Sequence, residues 1–358
     1  MEELIIVGGG VAGLGCLNAL LDHNVSPLLL EGSTIGSPKM CGEFLAPPVI
    51  EPLKQWGIGP LQTIKQARFI GTNTAMQCSF PRPAGAYARH EAELELAVRA
   101  RKLGGRILEQ SPIKHIIPPT KKAPYVLQLA SGETLQARAV IFATGRFSQS
   151  QGLSKYVGFK THVSKIVEPE TLLMFGFSGG YLGIVPVTSE TSNLTCLVKR
   201  EVVEAVGSCH DFLEATLTRF SSLRATRSNP AVQDSALDCF ASLEKTDWLE
   251  GPAPAFGMKT RPNWSSAYWI GDAFASVHPA IGYGFAHSVT SALLAAKYYL
   301  KQDPSGYQAM LQRTMRPKRM IGLGMHHLLQ KPRLCSAVSH WVEANQWISH
   351  GLLNFLDY

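Results

Sequence analysis

Three glycines close to the N-terminus are spaced in a way that suits the binding of a phosphate-bearing nucleotide. Gly8, Gly10 and Gly13 directly follow the apolar run at 4–7, and a stretch with helical character comes after them. Glycines at these positions permit a tight turn, a close approach of the backbone to a pyrophosphate, and close packing of a helix on a strand. The free amides and positive dipole end of that helix can bind the same anion. The spacing therefore predicts a dinucleotide site in which Gly8, Gly10, Ala12 and Gly13 contact the ligand.

A carboxylate extends this pattern. Glu31 ends a second apolar run and stands about 20 residues after Gly10, where an acidic side chain can accept hydrogen bonds from ribose hydroxyls. An acid at this point favours an adenosine without a 2′-phosphate, as in FAD or NAD. Strand, glycines, helix, strand and terminal acid in register are much more specific than a lone glycine-rich turn.

A second glycine-rich segment lies near the C-terminus, in "AYWIGDAFASVHPAIGYGFAHS". A strand-like run leads to Gly271 and Asp272, and a short loop then leads into an alanine-rich helical run. A helix N-terminus after glycines can place amides beside the electron-rich end of a reduced flavin. His278 is the imidazole of that loop, and it is a candidate to donate a proton to a substrate or to hydrogen-bond the flavin.

The two segments together resemble the FAD-dependent oxidoreductases of the geranylgeranyl reductase and para-hydroxybenzoate hydroxylase superfamily. Within it, the chain looks most like small flavoprotein dehydrogenases of bacterial specialised metabolism. In that superfamily the aspartate of the Gly-Asp motif binds the ribityl chain, and the following P-x-x-G-x-G loop lies against the flavin ring. The resemblance implies cofactor contacts for the matching positions, Gly271, Asp272, Pro279, Gly282 and Gly284.

Three further segments fit the same superfamily. "YARHEAELELAVRA" resembles its R-x-x-L-D-x-x-L helix, with Arg89 in the place of the cofactor-binding arginine and Glu93 replacing the aspartate. "AVIFATGRFS" resembles the strand and turn that return to the FAD, and Gly145 closes its apolar run. "FSGGYLGIVPV" resembles the substrate-facing Y-x-W-x-F-P element, with Tyr181 in the tyrosine place. Gly183 replaces the tryptophan, which predicts the loss of an aromatic wall.

The loop "GSPKMCGEFLAP" has a composition that neither a strand nor a helix would favour. It resembles the P-x-x-x-C-G-G loop that runs beside the isoalloxazine ring, with Cys41 one residue closer to the proline and Glu43 replacing the second glycine. The resemblance implies that Cys41 and Gly42 contact the flavin. The candidates for catalytic contact are Cys41, Glu43, Tyr181 and His278.

These segments predict an α/β fold in which a Rossmann-like FAD-binding domain of the GR2 type is interleaved with a β-sheet substrate domain, followed by C-terminal helices. The predicted bounds are 1–60, 85–160 and 260–300 for the FAD-binding domain, 61–84 and 161–259 for the substrate domain, and 301–358 for the helical segment.

Composition narrows the class of protein. The 358 residues are 45% hydrophobic and 17% charged, which is typical of a globular chain. Seven cysteines without a C-x-x-C pair argue against a disulfide framework or a zinc site. The net charge of +7 is spread thinly, which argues against nucleic acid as a partner. Neither a signal peptide nor an apolar run long enough to span a membrane is evident, so we expect a cytoplasmic protein.

The tail beyond residue 320 is apolar and aromatic with basic flanks. Two interpretations stay open for it: helices that lie on a membrane surface, and helices that cover the substrate domain and break at Pro332. The second is favoured, since a helix with one apolar face usually packs on protein. His326 and His327 are adjacent and would point apart on a helix, so a metal site is not expected.

The leading functional hypothesis is a reductase or dehydrogenase that acts on a hydrophobic small molecule by hydride transfer through FAD, with NAD(P)H as a transient electron donor. The first alternative is an FAD-dependent monooxygenase that uses NAD(P)H and O₂. The second is a flavoprotein whose FAD is structural and whose role is binding.

Overall fold

The computed structural model describes residues 1–70, 75–148, 155–164, 168–225, 245–253, 257–258, 261–262 and 264–331. The predicted helix break at Pro332 lies outside these residues. In chain order the strands are β1 Glu2–Val7, β2 Leu28–Leu30, β3 Phe44–Leu45, β4 Gln62–Ile70, β5 Ala75–Ala86, β6 Arg106–Leu108, β7 Ile113–Ile117, β8 Tyr125–Leu129, β9 Thr134–Phe142, β10 Tyr156–Ser164, β11 Thr171–Phe177, β12 Gly180–Pro186, β13 Thr191–Lys199, β14 Lys245–Pro252, β15 Gly257–Met258, β16 Ala267–Trp269 and β17 Ala275–Ser276. The α-helices are α1 Val11–Leu21, α2 Ile50–Gln55, α3 Arg89–Lys102, α4 Arg200–Glu204, α5 Cys209–Ala225, α6 Gly284–Leu300 and α7 Pro304–Leu329.

The first sheet has parallel strands in the order β6-β2-β1-β9. The second half of β9 also carries β16 in parallel, and its first half pairs antiparallel with β8, which pairs with β7. Ile5 at the centre of β1 pairs with Leu28 of β2 and Val140 of β9, and all three are buried. Continuous apolar strands of this kind are expected where a parallel sheet is covered on both faces.

Helix α1 connects the first two strands of this sheet, as predicted. All eleven of its residues are buried, because it lies against both α3 and α6. A helix that is apolar all round belongs inside a protein. The β1-α1-β2 unit therefore forms the centre of the first core and fixes the loop that joins β1 to α1.

The second sheet has the order β14-β10-β13-β12-β11-β4-β5-β3. Its pairs are antiparallel except for β4 with β11. Helix α5 packs Phe212, Leu213 and Leu217 against the sheet in the second core. The chain crosses between the two sheets several times, since β3 to β5 precede β6 to β9 and β10 to β14 precede β16. The predicted domain boundaries themselves stay a prediction.

The tail is helical from Pro304 to Leu329, with Pro317 inside the helix. Helix α7 contacts α6, the turn at Pro279–Ile281, and strands of both sheets. The part of the tail that the structure describes therefore packs on protein, in agreement with the favoured interpretation. None of the helices in the described ranges is long and apolar enough to cross a membrane.

Candidate functional site

The loop between β1 and α1 is built around two glycines that no other residue can replace without a shift of backbone. Gly8 has a φ of +109°, and a Cβ there would stand 2.4 Å from the carbonyl oxygen of Ala143 after β9. A Cβ on Gly13 would stand 1.8 Å from the carbonyl oxygen of Gly8. These close approaches bring helix, strand and β9 together at one point.

Gly10 has a different role. It begins α1 in an extended conformation without a side-chain cap, and the first helical turn holds no acidic residue. A Cβ on Gly10 would meet nothing nearer than the guanidinium of Arg89 at 3.5 Å and Glu93 at 3.6 Å. The amides of the first turn of α1 therefore have no competing carboxylate or cap within their own turn, which suits a pyrophosphate.

Glu31 stands directly beside this loop. Its carboxylate accepts hydrogen bonds from the amide of Gly9 and from the amide and hydroxyl of Ser33, the last two at 2.9 and 2.6 Å. Partial burial opposes ionisation, but these hydrogen bonds outweigh it and hold the pKa of Glu31 below its usual range. The predicted ribose acceptor is thus an ionised carboxylate fixed next to the glycine loop.

The second glycine-rich segment meets the first one at α1. Gly271 has a φ of +56°, and a Cβ there would lie 3.0 Å from the Cβ of Ala12. Its amide donates to the hydroxyl of Ser291 at 2.8 Å, and its carbonyl lies 3.0 Å from Nε2 of His287. Both partners are on α6, so that helix fixes the Gly-Asp turn against the glycine loop.

Asp272 is held by a partner that the sequence did not identify. Nε of Arg146 donates to its carboxylate at 2.8 Å. Burial opposes ionisation of Asp272, but the charge and hydrogen bond of Arg146, and then the charges of His287 and Arg89, hold its pKa below the usual range. Gly145, next to Arg146, has a φ of +67° and starts a 3₁₀ turn at Gly145–Ser148. The turn predicted to return to the cofactor therefore reaches the Gly-Asp motif.

The cysteine loop is fixed by Glu43, which is 0% exposed and has a φ of +55°. One carboxylate oxygen accepts from Nζ of Lys160 and from the amide of Arg89 at 3.0 Å, and the other lies 2.7 Å from Nε2 of His162. Burial opposes ionisation, but the hydrogen bond of His162 and the charge of Lys160 outweigh it, so the pKa of Glu43 lies below its usual range. Glu43 thus links the loop to β10 and α3, and its catalytic role stays a prediction.

Cys41 and Gly42 run across β13. The carbonyl of Cys41 accepts from the side-chain amide of Asn193 at 3.2 Å, and its sulfur accepts from the amide of Glu43 at 3.3 Å. A Cβ on Gly42 would lie 3.8 Å from the hydroxyl of Thr195. Asn193 and Thr195 were not predicted, because polar residues on a strand carry no spacing signal for a distant loop.

His278 and Tyr181 come together as two of the predicted catalytic candidates. The hydroxyl of Tyr181 lies 3.4 Å from Nδ1 of His278, which is also 3.4 Å from the amide of Ala280. The His278 ring is 3.9 Å from the ring of His326 on α7. Burial, followed by the charges of His326 and His327, lowers the pKa of His278 to about 3, and burial lowers that of His326 to about 4. Burial also raises the pKa of Tyr181 well above its usual value.

The loop after His278 reaches the cysteine loop. Pro279–Ile281 form a 3₁₀ turn that ends at Gly282, whose φ is +58° and whose Cβ would lie 2.7 Å from the ring of Phe44. Gly284 begins α6 without a side-chain cap or acidic first turn, and a Cβ there would meet nothing within 4 Å. The two loops predicted to face a flavin ring therefore meet at Phe44.

The architecture of the chain is shared with proteins of known structure. No family model matches the chain, and neither does any curated protein. Solved structures do match. A geranylgeranyl bacteriochlorophyll reductase-like protein from Thermoplasma acidophilum has a TM-score of 0.70 at 18% identity, over 92% of this chain and 87% of that one. PqsL, a probable FAD-dependent monooxygenase from Pseudomonas aeruginosa, has a TM-score of 0.77 at 14% identity, over 94% and 99%. The flavin-dependent brominase Bmp2 has a TM-score of 0.77 at 13% identity, over 99% and 93%.

The chain has the fold of flavin-dependent enzymes such as PqsL and Bmp2. The likeness covers nearly the whole chain, so the predicted α/β class and the predicted resemblance are confirmed at the level of the fold. The identities are too low to carry a reaction or a substrate from these proteins to this one.

The residues of this flavoenzyme fold fit a dinucleotide such as FAD. The uncapped first turn of α1, the space above Gly10 and the ionised Glu31 suit a pyrophosphate and an adenosine ribose. Arg89 lies beside Gly10, and Asp272 is fixed near it. Sequence reasoning missed Arg146, Asn193, Lys160, His162 and His326, all of which contact predicted site residues.

Gly183 stands where related proteins carry a tryptophan, and the resemblance predicted the loss of an aromatic wall. A Cβ on Gly183 would stand 3.1 Å from the sulfur of Met174, which pairs with it across β11 and β12. The space next to the backbone of Gly183 is therefore bordered by a thioether, and the effect on a substrate stays a prediction.

Proposed function

We propose that the protein is an FAD-dependent oxidoreductase that acts on a hydrophobic small molecule by hydride transfer through the flavin. The observation that carries this proposal is the meeting of two dinucleotide segments at the N-terminus of α1, where Gly271 lies against Ala12 and Arg89 lies beside Gly10. A βαβ unit that served packing alone would not need a second glycine turn at the same helix end.

The proposed cofactor contacts follow from this geometry. The amides of Gly10 to Gly13 would bind the pyrophosphate, Glu31 the adenosine ribose, and Arg89 and Asp272 the remaining phosphate and ribityl groups. Cys41, Gly42 and the loop from Pro279 to Gly284 would border the flavin ring. Bound FAD would supply the hydride acceptor or donor, a chemistry that no side chain provides.

The proposed substrate side is apolar. Met174, Tyr181, Leu197, Ala280 and Leu329 form one buried cluster around the place where His278 meets Tyr181. Because its pKa is lowered to about 3, His278 is neutral near pH 7 and can hold or pass a proton without placing a fixed charge among apolar groups. This environment favours a hydrophobic substrate and excludes water from the reaction.

The test begins with the purified protein, reconstituted with FAD if it is isolated without it. We expect bound FAD with its yellow absorbance, bleaching under anaerobic NADH or NADPH, and recovery of the absorbance when an oxidised hydrophobic substrate is added. A protein that binds no FAD after reconstitution contradicts the proposal. Bleaching without reoxidation by any substrate points to structural FAD.

The likeness to PqsL supports a monooxygenase as the second candidate. Oxygen separates it from the first. If the reduced protein consumes O₂ in proportion to a hydroxylated product, the hydride-transfer proposal is wrong.

The variant His278→Gln separates turnover from cofactor binding. Under the proposal it keeps FAD bound with an unchanged visible spectrum, while turnover with substrate falls by about a hundredfold to ten-thousandfold, the factor that positioned proton transfer contributes. His115→Gln, at an exposed position of β7, is the matched control and leaves turnover unchanged. Equal turnover in wild type and His278→Gln would remove His278 from the reaction.

A further inference from the structure

A cavity of about 100 Å³ lies beside the cysteine loop, on the side of α3 and the edge of the second sheet. Its walls are residues 36–39 of the loop, the first turn of α3, β10 and β14. The side chains that matter for its chemistry are Lys39, Arg89, His90, Lys160, His162 and Leu249. The proposed contacts with FAD use Arg89 but leave the rest of this cavity unassigned.

The lining of the cavity is cationic. It contains two lysines, one arginine and two histidines, and none of the described residues that line it is acidic. Glu43 and Glu93, which pair with these cations, are both 0% exposed and stand outside the lining. Lys39 and Arg89 also act on the charges of Glu31 and Asp272, neither of which lines the cavity. The titratable side chains that face the cavity are therefore all basic, which suits an anionic ligand.

The cations keep hydrogen-bonding capacity. Lys39 donates to Glu93 at 2.9 Å, and Lys160 donates to Glu43. Each ammonium has three N–H groups, so two remain on each lysine. Nε of Arg89 donates to Glu93 at 2.8 Å, which leaves the outer N–H groups of the guanidinium. Phosphate and carboxylate oxygens are the acceptors that such donors bind most strongly.

The size also fits. A cavity must offer about 10 to 15 Å³ to the centre of one water molecule. This cavity offers about 100 Å³, so it has room for several waters or for an oxyanion with the atoms next to it. Leu249 adds an apolar wall that suits the carbon skeleton attached to such a group.

We propose that this cavity binds the oxyanion, phosphate or carboxylate, of a small molecule other than FAD. Arg89 is shared between the cavity and the space above Gly10, so the bound molecule would lie next to the dinucleotide site. The group has two possible sources, a nicotinamide nucleotide with a 2′-phosphate and a substrate that carries a carboxylate. The binding itself does not depend on the proposed reaction.

The first experiment measures binding of inorganic phosphate and of benzoate to the FAD-loaded protein by calorimetry at low ionic strength. The variant is Lys39→Gln, because Lys39 lines the cavity with a side chain that is 29% exposed, and its loss should not unfold the chain. We expect at least one of the two anions to bind, and Lys39→Gln to weaken it by about tenfold. Lys39→Arg should restore most of the affinity.

The matched control is Lys65→Gln. Lys65 also forms an ion pair with a glutamate, Glu170 at 2.7 Å, but neither residue lines the cavity. We expect it to change anion affinity by less than twofold. Equal losses in both variants would show a general charge effect and overturn the proposal, as would the absence of binding by either anion.

The second experiment separates the sources. If the anion comes from a nucleotide, Lys39→Gln weakens NADPH by about tenfold and leaves NADH nearly unchanged. If it comes from a substrate, Lys39→Gln weakens benzoate and leaves both nucleotides unchanged. Binding of phosphate that disappears when FAD saturates the protein assigns the cavity to FAD and overturns the proposal. Calorimetry needs no turnover, so a failed reaction and a failed anion site give different results.

Discussion

Two glutamates in the first fifty residues show two different uses of a buried carboxylate. Glu31 is bonded to the amide of Gly9 and to Ser33, so its partners are neutral and lie on the glycine loop or two residues away. Glu43 is bonded to Lys160 and His162, which are more than a hundred residues distant and lie on β10 of the second sheet. Both carboxyl groups have a lowered pKa, but for different reasons.

The comparison distinguishes a residue that binds a ligand from a holding residue, whose charge holds two parts of the protein together. Glu31 is partly exposed and is held by neutral donors, so its charge can still act on a ligand. Glu43 has no exposed surface, and its charge is used within the protein to fix the cysteine loop to β10. Replacing Glu43 should therefore mainly lower the stability of the fold, whereas replacing Glu31 should mainly lower the affinity for FAD.

The largest effect is expected for Glu43→Gln. The change leaves the buried ammonium of Lys160 and the ring of His162 without a charged partner, and breaking a buried pair in this way costs about 3 to 5 kcal/mol. Denaturant unfolding monitored by circular dichroism measures the free energy of unfolding. Glu133→Gln, at an exposed turn, is the control and should stay within about 0.5 kcal/mol of wild type.

The pH dependence of this cluster sharpens the same comparison. Since the pKa of Glu43 is lowered in the folded protein, its contribution is present above the unfolded value of about 4.3 and is lost as the pH falls through the folded value. The gap in stability between wild type and Glu43→Gln should therefore stay constant from pH 7 to about pH 5 and narrow below about pH 4. A gap that widens on acidification would contradict an ionised Glu43.

A smaller effect is expected on the binding side, at Gly13. A Cβ there overlaps the carbonyl of Gly8, so Gly13→Ala forces α1 away from β1. The variant should lower the free energy of unfolding by about 1 to 3 kcal/mol and should also weaken FAD binding. Gly15→Ala, two residues further along the same helix, meets only ordinary contacts at 3.5 Å or more. It should be neutral or stabilise by up to about 1 kcal/mol, because alanine favours helix over glycine. Similar unfolding curves for the two variants would show that the close approach at Gly13 has no importance.

These contrasts also explain how far the sequence could be interpreted. The glycine loop and Glu31 were predicted because their partners lie within one βαβ unit, where spacing along the chain determines distance in space. Lys160 and His162 were missed because their role depends on the pairing register of β10, which no local pattern reveals. A weak signal existed, since two polar residues at i and i+2 share one face of an otherwise buried strand.

The histidine on α7 gives the same lesson for a helix. His326 and His327 were considered only as a metal pair and set aside, because adjacent residues point apart on a helix. That reasoning was sound, yet His326 packs its ring on His278 because α7 lies across the turn at Pro279–Ile281. How a C-terminal helix docks on a distant loop depends on tertiary packing, which residue spacing does not encode.

The smallest effect on stability is expected for Glu31→Gln, and it completes the comparison. The amide keeps one oxygen that can accept from Gly9 or Ser33, so the free energy of unfolding should fall by only about 1 kcal/mol. The affinity for FAD should fall by about tenfold, because an amide accepts hydrogen bonds from ribose hydroxyls less strongly than a carboxylate. Fluorescence titration of the FAD-free protein measures this affinity, and Ser33→Ala, which removes one partner of Glu31 but retains its charge, is the matched variant. If Glu31→Gln binds FAD as tightly as wild type and loses as much stability as Glu43→Gln, both carboxylates are holding residues and the distinction between the two regions fails.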